Sequence, residues 1–384
     1  MKKSFLSGVI GLALAAGLAA GMAGKAGAAE PIRIGSPLLL SGHGAFVGGA
    51  EKNTIEMMRD EVNAAGGING RPLEFIFYDT EAKPDVAVRL IKRLIQKDKV
   101  TAILGISASW VALPIIPIVE KAGVPTIIPA STDAIVVPVR KFVFKTPAGD
   151  GVVVDKLLQH MKANGISKIA LVTTQDGYGS GGHDQFIKQS PNYGVKVVFE
   201  DRFTMEDADI TPMLNRIKKT DAQAVVNWSA RRAPVIMTMN YRQIGLKLPL
   251  YHGHASLSKG YLKATGKNSE GTITASAKFY GAETLSDSDP QKAVIQGYRK
   301  AYKAKFGKDA NQFGAAAFDA FNILIAALKK SGPDKAKLRA AIEQTQNYVG
   351  ISGVFNYSAS DHGGLSKDNL VMYQAQGGAW KLLK

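Results

Sequence analysis

Residues 101–132 constrain the fold most, because they alternate short buried strands with a helix and polar loops. Val100–Leu104 and Val124–Ile128 are apolar, β-branched runs, which are typical of strands buried on both faces of a parallel sheet. Small hydroxyl residues follow both runs: Ser107, Ser109, Ser131 and Thr132. In an open parallel sheet, ligands bind in the crevice at the carboxyl ends of the strands. The pattern therefore predicts a ligand site at this edge, with no evident catalytic base.

The same alternation of strands and helices continues along the chain in two series. The first series begins with a strand at 32–35 and ends near 142–145, and the second runs from about 157 to 275. The later elements are expected to complete the same two sheets. They are helices at about 290–306, 315–330 and 333–344 and short strands near 353–355 and 370–374. We therefore predict an α/β protein with two lobes, each with its own parallel sheet.

The first 28 residues are predicted to be a secretory signal peptide. Lys2 and Lys3 precede the apolar run Val9–Gly24, and Ala26-Gly27-Ala28 supplies small residues of the kind that a signal peptidase recognises. An uncleaved membrane anchor is the alternative, since the run is nearly long enough to span a bilayer. The chain has no cysteine, so it has neither disulfides nor the lipid-attachment residue of a lipoprotein. We expect an exported, soluble protein of the periplasm.

The chain is strongly basic, with a formal net charge of +16 at pH 7. Lys2, Lys3 and Lys25 belong to the predicted signal region, and removing these three charges leaves +13 for the mature chain. The remaining basic residues are scattered over predicted helix faces and are not interleaved with aromatic side chains, which indicates solvated surfaces. We expect no nucleic-acid partner.

Residues 177–182 match the G-x-G-x-x-G spacing of a dinucleotide-binding turn, with acidic residues about twenty positions further on. Three features argue against a nucleotide. The first glycine lies several residues beyond the strand, Asp176 would repel a pyrophosphate, and Ser190-Pro191 cuts the next helix short. The alternative is a loop that carries Tyr178 into a cleft between the lobes. We expect no cofactor.

His252-Gly253-His254 places two imidazoles close together, but two ligands do not make a metal site and no carboxylate is evidently paired with them. We expect no metal, and we predict that a histidine at this strand end is a polar cleft residue. The sequence contains no nucleophile elbow, phosphate-binding loop or zinc-protease motif. It therefore predicts no catalytic residue.

A helix is expected to begin at Ser109, after the glycine that ends the preceding strand. The first turn of a helix offers unpaired N–H groups and a partial positive charge, which suit a carboxylate. The alternative is that Ser109 only caps the helix. Trp110 and Trp228 each lie beyond a predicted strand, where an indole either joins the core or faces a ligand.

Several segments together resemble the extracellular solute-binding proteins of ABC importers, type I fold, in the branch of the leucine/isoleucine/valine-binding proteins. The segments are, in order, IRIGSPLLLSG, NAAGGINGRPLEFIFYDTEAKPDVAV, GVPTIIPAST, DGYGSGG and FGAAAFDAFNILIAAL. The resemblance implies two Rossmann-like lobes with parallel central sheets, joined by three crossover hinge segments. It implies a first lobe of residues 29–148 plus 281–350 and a second of residues 149–280 plus 351–384, after a signal peptide of residues 1–28.

The resemblance also implies which residues hold the ligand. The matching positions are Ser109 for a hydroxyl contact to a carboxylate, Ala130 and Thr132 for main-chain and hydroxyl contacts, Tyr178 for a tyrosine of the second lobe, and Phe46 and Val47 for the ligand side chain. One position departs from the family. The acidic residue that pairs with the ammonium group of an amino acid falls at His254, and a buried ammonium without a carboxylate partner is costly.

This departure favours a ligand with a carboxylate head, an aromatic or bulky apolar body and no amine, such as a benzoate-like or aryl-keto acid. Trp110 and Trp228 would flank its ring, and His254 and Arg231 would donate hydrogen bonds to its oxygens. A branched-chain or other neutral amino acid is the alternative ligand. The implied partner is the permease of an importer, and we expect a monomer. An exported two-lobed enzyme and a sensory protein that contacts a receptor remain as alternative functions.

Overall fold

A computed structural model describes residues 29–383, so the predicted signal peptide lies outside the described part of the chain. Five parallel strands form the first sheet. They are β1 Ile32–Leu38, β2 Leu73–Asp79, β3 Ala102–Leu104, β4 Thr126–Ile128 and β5 Val143–Lys145. Their order is β2-β1-β3-β4-β5. Every residue of β3, β4 and β5 is buried, as expected for strands covered on both faces.

Four helices belong to this first series. They are α1 Ala45–Ala64, α2 Pro84–Gln96, α3 Ser109–Ala112 and α4 Ile116–Ala122. Pro84 suits the first position of α2. An N–H at this position would have no acceptor within the helix, so proline, which has no N–H, loses no hydrogen bond there. α4 ends at Gly123, whose φ of 61° is left-handed and turns the chain toward β4.

Seven strands form the second sheet. They are β6 Lys168–Thr174, β7 Lys196–Phe203, β8 Ala224–Trp228, β9 Leu250–His252, β10 Ile273–Ser276, β13 Val371–Gln376 and β14 Ala379–Leu382. Their order is β14-β13-β10-β9-β8-β6-β7. β13 pairs in antiparallel fashion with both β10 and β14, and the other neighbouring strands are parallel. Its helices are α5 Asp150–Ala163, α6 Gly177–Gln189, α7 Thr211–Ile217, α8 Ala233–Gln243 and α9 Lys259–Thr265.

The remaining elements return the chain to the first lobe. They are α10 Pro290–Phe306, α11 Gln312–Ser331, α12 Lys335–Glu343 and the hairpin strands β11 Tyr348–Val349 and β12 Val354–Phe355. α11 packs on α1, and the chain then crosses again to add β13 and β14 to the second sheet. The chain thus crosses between the lobes after β5, after β10 and before β13. The predicted two-lobed α/β fold is confirmed.

A buried carboxyl of α11 binds the backbone just before the last crossing between the lobes. Asp319 accepts hydrogen bonds from the N–H groups of Ile351, at 2.7 Å, and Ser352, at 2.8 Å. Burial raises the pKa of Asp319 to about 7, against the lowering effect of its bonds to Ser352 and Ile351. The bonds tie a helix of the first lobe to backbone that lines the cavity described below.

Some elements differ from those expected from the sequence. Residues 177–182, for which a loop was the favoured alternative, form the first turns of α6. α9 and β14 were not expected, because elements of seven and four residues hold too few apolar positions to show a period. Along residues 29–383, none of the helices combines the length and the apolar character that a bilayer crossing requires.

Candidate functional site

A cavity of about 430 Å³ lies between the carboxyl ends of the two sheets. Both lobes line it with residues that follow their strands: Ser107, Ser109 and Trp110 after β3, Ser131 after β4, Tyr178 after β6, Arg231 after β8 and His254 after β9. This is the place that the strand-end pattern predicts. The volume falls within the range of about 300–1,000 Å³ that is typical of pockets for small molecules.

Ser109 lies at the polar end of the cavity, at the first position of α3. The predicted helix start is therefore confirmed, but Ala108 rather than Ser109 occupies the capping position. The Ser109 hydroxyl accepts a hydrogen bond from the Thr132 N–H at 3.3 Å. Its own proton stays available for an acceptor in the cavity.

The loop after β4 presents a different hydroxyl from the one expected. Ala130 and Thr132 are buried and do not line the cavity, whereas Ser131 between them does. Successive side chains of extended backbone point to opposite sides, which explains why the neighbour takes the exposed position. The Ser131 hydroxyl lies 2.8 Å from Nε2 of His254, across the gap between the lobes. The strand-end pattern includes Ser131, but the family resemblance points to its neighbours Ala130 and Thr132 as the ligand contacts.

Tyr178 reaches the cavity from the start of α6, as expected. The Asp176 carboxylate caps this helix and accepts from the N–H groups of Tyr178, at 2.8 Å, and Gly179, at 3.0 Å. An acidic group thus occupies the place where the dinucleotide interpretation would put a phosphate, and that interpretation does not fit. The Tyr178 hydroxyl accepts the Ala255 N–H at 3.3 Å and lies 3.3 Å from Nδ1 of His254.

The glycines of α6 let the two lobes approach closely. A β-carbon on Gly181 would lie 2.4 Å from the Thr132 hydroxyl of the first lobe and 2.1 Å from Asp150 Oδ2. A β-carbon on Gly177 would lie 3.1 Å from a methyl carbon of Leu113. The pattern that resembled a nucleotide motif therefore serves helix packing between the lobes.

His254 is a neutral polar residue of the cavity wall. Burial, and secondarily the charge of Lys145, lower the pKa of His254 to about 3. A neutral imidazole has one N–H donor and one acceptor nitrogen, which here meet the hydroxyls of Ser131 and Tyr178. His252 instead bonds the side chains of Asn227 and Thr238, and burial lowers its pKa to about 3 as well. The two rings therefore do not converge on one metal position.

The two tryptophans have different surroundings. Trp110 lines the cavity, and its indole N–H donates to the Ala82 carbonyl at 3.3 Å. Trp228 is fully buried behind the wall, stacked on Tyr178 at 5.4 Å between ring centres. A β-carbon on Gly182 would lie 2.3 Å from the Trp228 ring, so the missing side chain makes room for the indole there. The expectation that two indoles flank the ligand is wrong in this structure, where only Trp110 lines the cavity.

Apolar side chains form another part of the cavity lining, which we call the apolar wall. Phe46 and Val47 line the cavity as expected, and Phe46 packs edge-on against Phe313 at 5.7 Å between ring centres. Phe313 and Phe279 complete this wall but were not expected. Both belong to the part of the chain after β10, and only the late FGAAAF segment hinted at apolar residues there. The wall offers a surface for an apolar ligand body.

A buried carboxyl lies directly beneath the cavity. Glu51 of α1 is fully buried and accepts a hydrogen bond from Ser107, a wall residue. Burial raises the pKa of Glu51 to about 8, and the Ser107 bond opposes this rise only in part. The folded protein therefore holds the Glu51 proton across a pH range in which the unfolded chain has lost it.

The Glu51→Gln variant should have a shallower pH dependence of stability. As the pH rises from about 5 to 8, Glu51 in the wild-type protein should lower the free energy of unfolding by up to about 1.4 kcal/mol per pH unit. The reason is that the folded state holds a proton that the unfolded state has lost. Buried Asp150 and Asp319 act in the same direction and remain in the variant. Urea denaturation at several pH values measures the slopes. Glu61→Gln, an exposed change on the same helix, is the control, and an unchanged slope in Glu51→Gln would contradict the assignment.

The fold and the cavity together define a class: a two-lobed α/β binding protein that encloses a small solute between the carboxyl edges of its sheets. The sequence profile of the periplasmic binding protein family matches residues 31–379, and the chain belongs to this family. The family assignment agrees with the resemblance seen in the sequence.

Relatives cover nearly the whole chain. The Leu/Ile/Val-binding protein homolog 3 of Brucella melitensis is 24% identical over 350 residues, or 89% of this chain and 91% of that protein. The leucine-, isoleucine-, valine-, threonine-, and alanine-binding protein of Pseudomonas aeruginosa is 25% identical and covers 92% of both chains. The crystal structure of an extracellular ligand-binding receptor from Rhodopseudomonas palustris HaA2 is 25% identical, has a TM-score of 0.86 and covers 92% of this chain and 99% of its own. The names of the first two relatives refer to amino acids and give no support to an aromatic acid.

Proposed function

We propose that the chain is the solute-binding component of an importer of the branched-chain amino acid type, and that it encloses a branched-chain or other neutral amino acid. The observation that supports this most is the cavity itself, which is lined by hydroxyls of both lobes and by an apolar wall. The named relatives favour this ligand class over the aromatic acid.

The polar end suits a carboxylate head group. The hydroxyls of Ser109 and Ser131 can donate to its oxygens, and the first turn of α3 adds N–H groups without intrahelical acceptors. Hydrogen bonds to a charged acceptor are shorter and about twice as strong as neutral ones. Phe46, Val47 and Phe313 then lie where an aliphatic side chain can be buried.

The ammonium group finds oxygen acceptors at this end but no opposite charge. Glu206 is the carboxylate of the cavity wall among residues 29–383, and it is exposed and paired with Arg232 at 3.4 Å. Both ring nitrogens of neutral His254 already meet the hydroxyls of Ser131 and Tyr178, whose oxygens are the acceptors that remain. Because desolvation of an ammonium group is then incompletely offset, His254 favours a second candidate, an acid of the same shape without the amine.

Thermal unfolding with a ligand panel tests the proposal. The panel contains leucine, isoleucine and valine, and the amine-free acids 4-methylpentanoate and benzoate. A ligand at one hundred times its Kd stabilises the folded protein by about 2.7 kcal/mol, and we expect the three amino acids to do so. Stabilisation by the amine-free acids alone would establish the second candidate, and no stabilisation by any of the five would overturn the ligand class. Recovery of chemically unchanged ligand separates capture from the alternative of an exported enzyme.

The same proposal includes the location and the partner. Residues 1–28 would be removed on export to the periplasm, and the ligand would pass to a membrane permease. The closing units would be residues 29–148 plus 281–350 and residues 149–280 plus 351–384. The three crossings of the chain and the periplasmic binding family support this arrangement. A chemoreceptor is the alternative partner for the same closed form.

A further inference from the structure

Arg231 places a positive charge in the cavity wall that the head-group site does not explain. It follows β8, lines the cavity and is half-buried. Its φ of 61° lies in the left-handed region, which is uncommon for residues with a side chain. Backbone strain of this kind is concentrated at ligand sites and switch regions.

The Arg231 guanidinium has no carboxylate partner and no hydrogen-bond acceptor among residues 29–383. Its neighbour is the face of Trp110, with 5.0 Å from the guanidinium carbon to the ring centre. Arg232 differs, because it donates to the Met205 carbonyl at 2.6 Å and pairs with Glu206. A half-buried guanidinium with five N–H donors and no acceptor among these residues can donate to a ligand in the cavity.

The polar contacts of Ser109 and of Trp110, the residue that Arg231 covers, go to opposite sides of β3. Ser109 accepts the N–H of Thr132, on the loop after β4, whereas the Trp110 indole donates to Ala82, on the loop after β2. β2 and β4 lie on opposite sides of β3 in the sheet order. Trp110, with the guanidinium over its ring, is therefore directed toward the β2 edge and away from the hydroxyl end.

We propose that Arg231 forms a second ligand subsite, which takes a carboxylate at the end of the ligand opposite its head group. This rests on the proposed function, because it assumes a carboxylate head at the hydroxyl end. A planar guanidinium matches the two oxygens of a carboxylate with parallel N–H bonds. The subsite keeps the carboxylate head of the proposed function and replaces its neutral side chain with an acidic one. The ligand then is a short acid with a carboxylate at each end: an acidic amino acid or its amine-free analogue.

A purely structural role for Arg231 makes a different prediction. If the guanidinium only latches the closed lobes by stacking on Trp110, its loss should weaken every ligand by the same factor. If it binds a second carboxylate, its loss should weaken only ligands that carry one. Two ligands of equal shape, of which only one carries a second carboxylate, therefore distinguish a latch from a carboxylate subsite.

Leucine and aspartate form such a pair, since the two terminal methyl groups of leucine correspond to the two carboxylate oxygens of aspartate. 4-Methylpentanoate and succinate are the corresponding amine-free pair. We expect the wild-type protein to bind the oxygen-ended member of at least one pair about tenfold more tightly, and Arg231→Met to abolish this preference. Isothermal titration calorimetry measures the affinities. Arg89→Met, which removes an exposed charge paired with Asp85 on α2, is the control and should change neither ligand.

Each result decides the question. An equal loss of affinity for both members of a pair in Arg231→Met would identify a latch and overturn the subsite. A wild-type protein that binds only leucine or 4-methylpentanoate would also overturn the subsite, while the proposed function would stand. Binding of none of the four probes would overturn the subsite and the proposed carboxylate capture together.

Discussion

Replacing His254 with glutamate should raise the affinity for leucine by about 10- to 100-fold. The wild-type ring is uncharged at pH 7, because burial lowers the pKa of His254 to about 3. A glutamate would add a carboxylate beside Ser131 and Tyr178, where the family resemblance places the partner of the ammonium group. A hydrogen bond to a charged group contributes about 1.5–3 kcal/mol. Calorimetric titration at pH 7 measures the change.

The same replacement should weaken 4-methylpentanoate by a similar factor, because a second carboxylate would then face the ligand without an ammonium group between them. His254→Gln is the matched control: it stays neutral, retains a donor group and an acceptor group, and should shift both ligands equally and slightly. Weaker leucine binding in His254→Glu, with the glutamine variant unchanged, would contradict the placement of the ammonium group at this residue.

Ser109→Ala should weaken binding of the carboxylate ligand by about 10- to 100-fold. The variant removes a hydroxyl donor from the polar end of the cavity. It also leaves the buried Thr132 N–H without its acceptor, which costs about 1–3 kcal/mol of stability. Affinity is therefore measured by calorimetry well below the unfolding midpoint of the variant, so that lost stability does not count as lost binding.

Ser276→Ala controls for the loss of a hydroxyl as such, since Ser276 lines the same cavity at the end of β10. It should leave the affinity nearly unchanged. Leucine methyl ester is the control ligand: it has a neutral ester in place of the carboxylate, so Ser109→Ala should weaken it less than it weakens leucine. An equal loss for leucine and its ester would show that Ser109 shapes the cavity without binding the carboxylate.

The sequence predicted the edge at which the site lies better than the direction of each side chain. Apolar runs followed by hydroxyl residues located the carboxyl ends of β3 and β4, and the structure places Ser109, Tyr178, Arg231 and His254 around one cavity there. This follows from local pattern alone, because parallel strands share one carboxyl edge. The fold class follows from the same pattern.

What escaped prediction depends on contacts between distant segments. Trp228 packs inward because Gly182, on another element, leaves space for its ring. Phe313 reaches the cavity only after the chain has returned to the first lobe on α11. The choice of Ser131 over Thr132 turns on which of two adjacent side chains faces the gap. None of these is visible in a local window of sequence.

The glycines that α6 presents to the first lobe also offer positions at which closure of the two lobes can be engineered. A bulky residue at Gly177 or Gly181 would act as a wedge, since even a β-carbon at Gly181 would meet the Thr132 hydroxyl at 2.4 Å. Such substitutions would keep the two lobes from closing fully and would leave the residues that line the cavity unchanged. A series of residues of increasing size at these positions would give biosensor variants that respond over different ranges of ligand concentration. For the same reason, we expect related proteins to keep small residues at these positions.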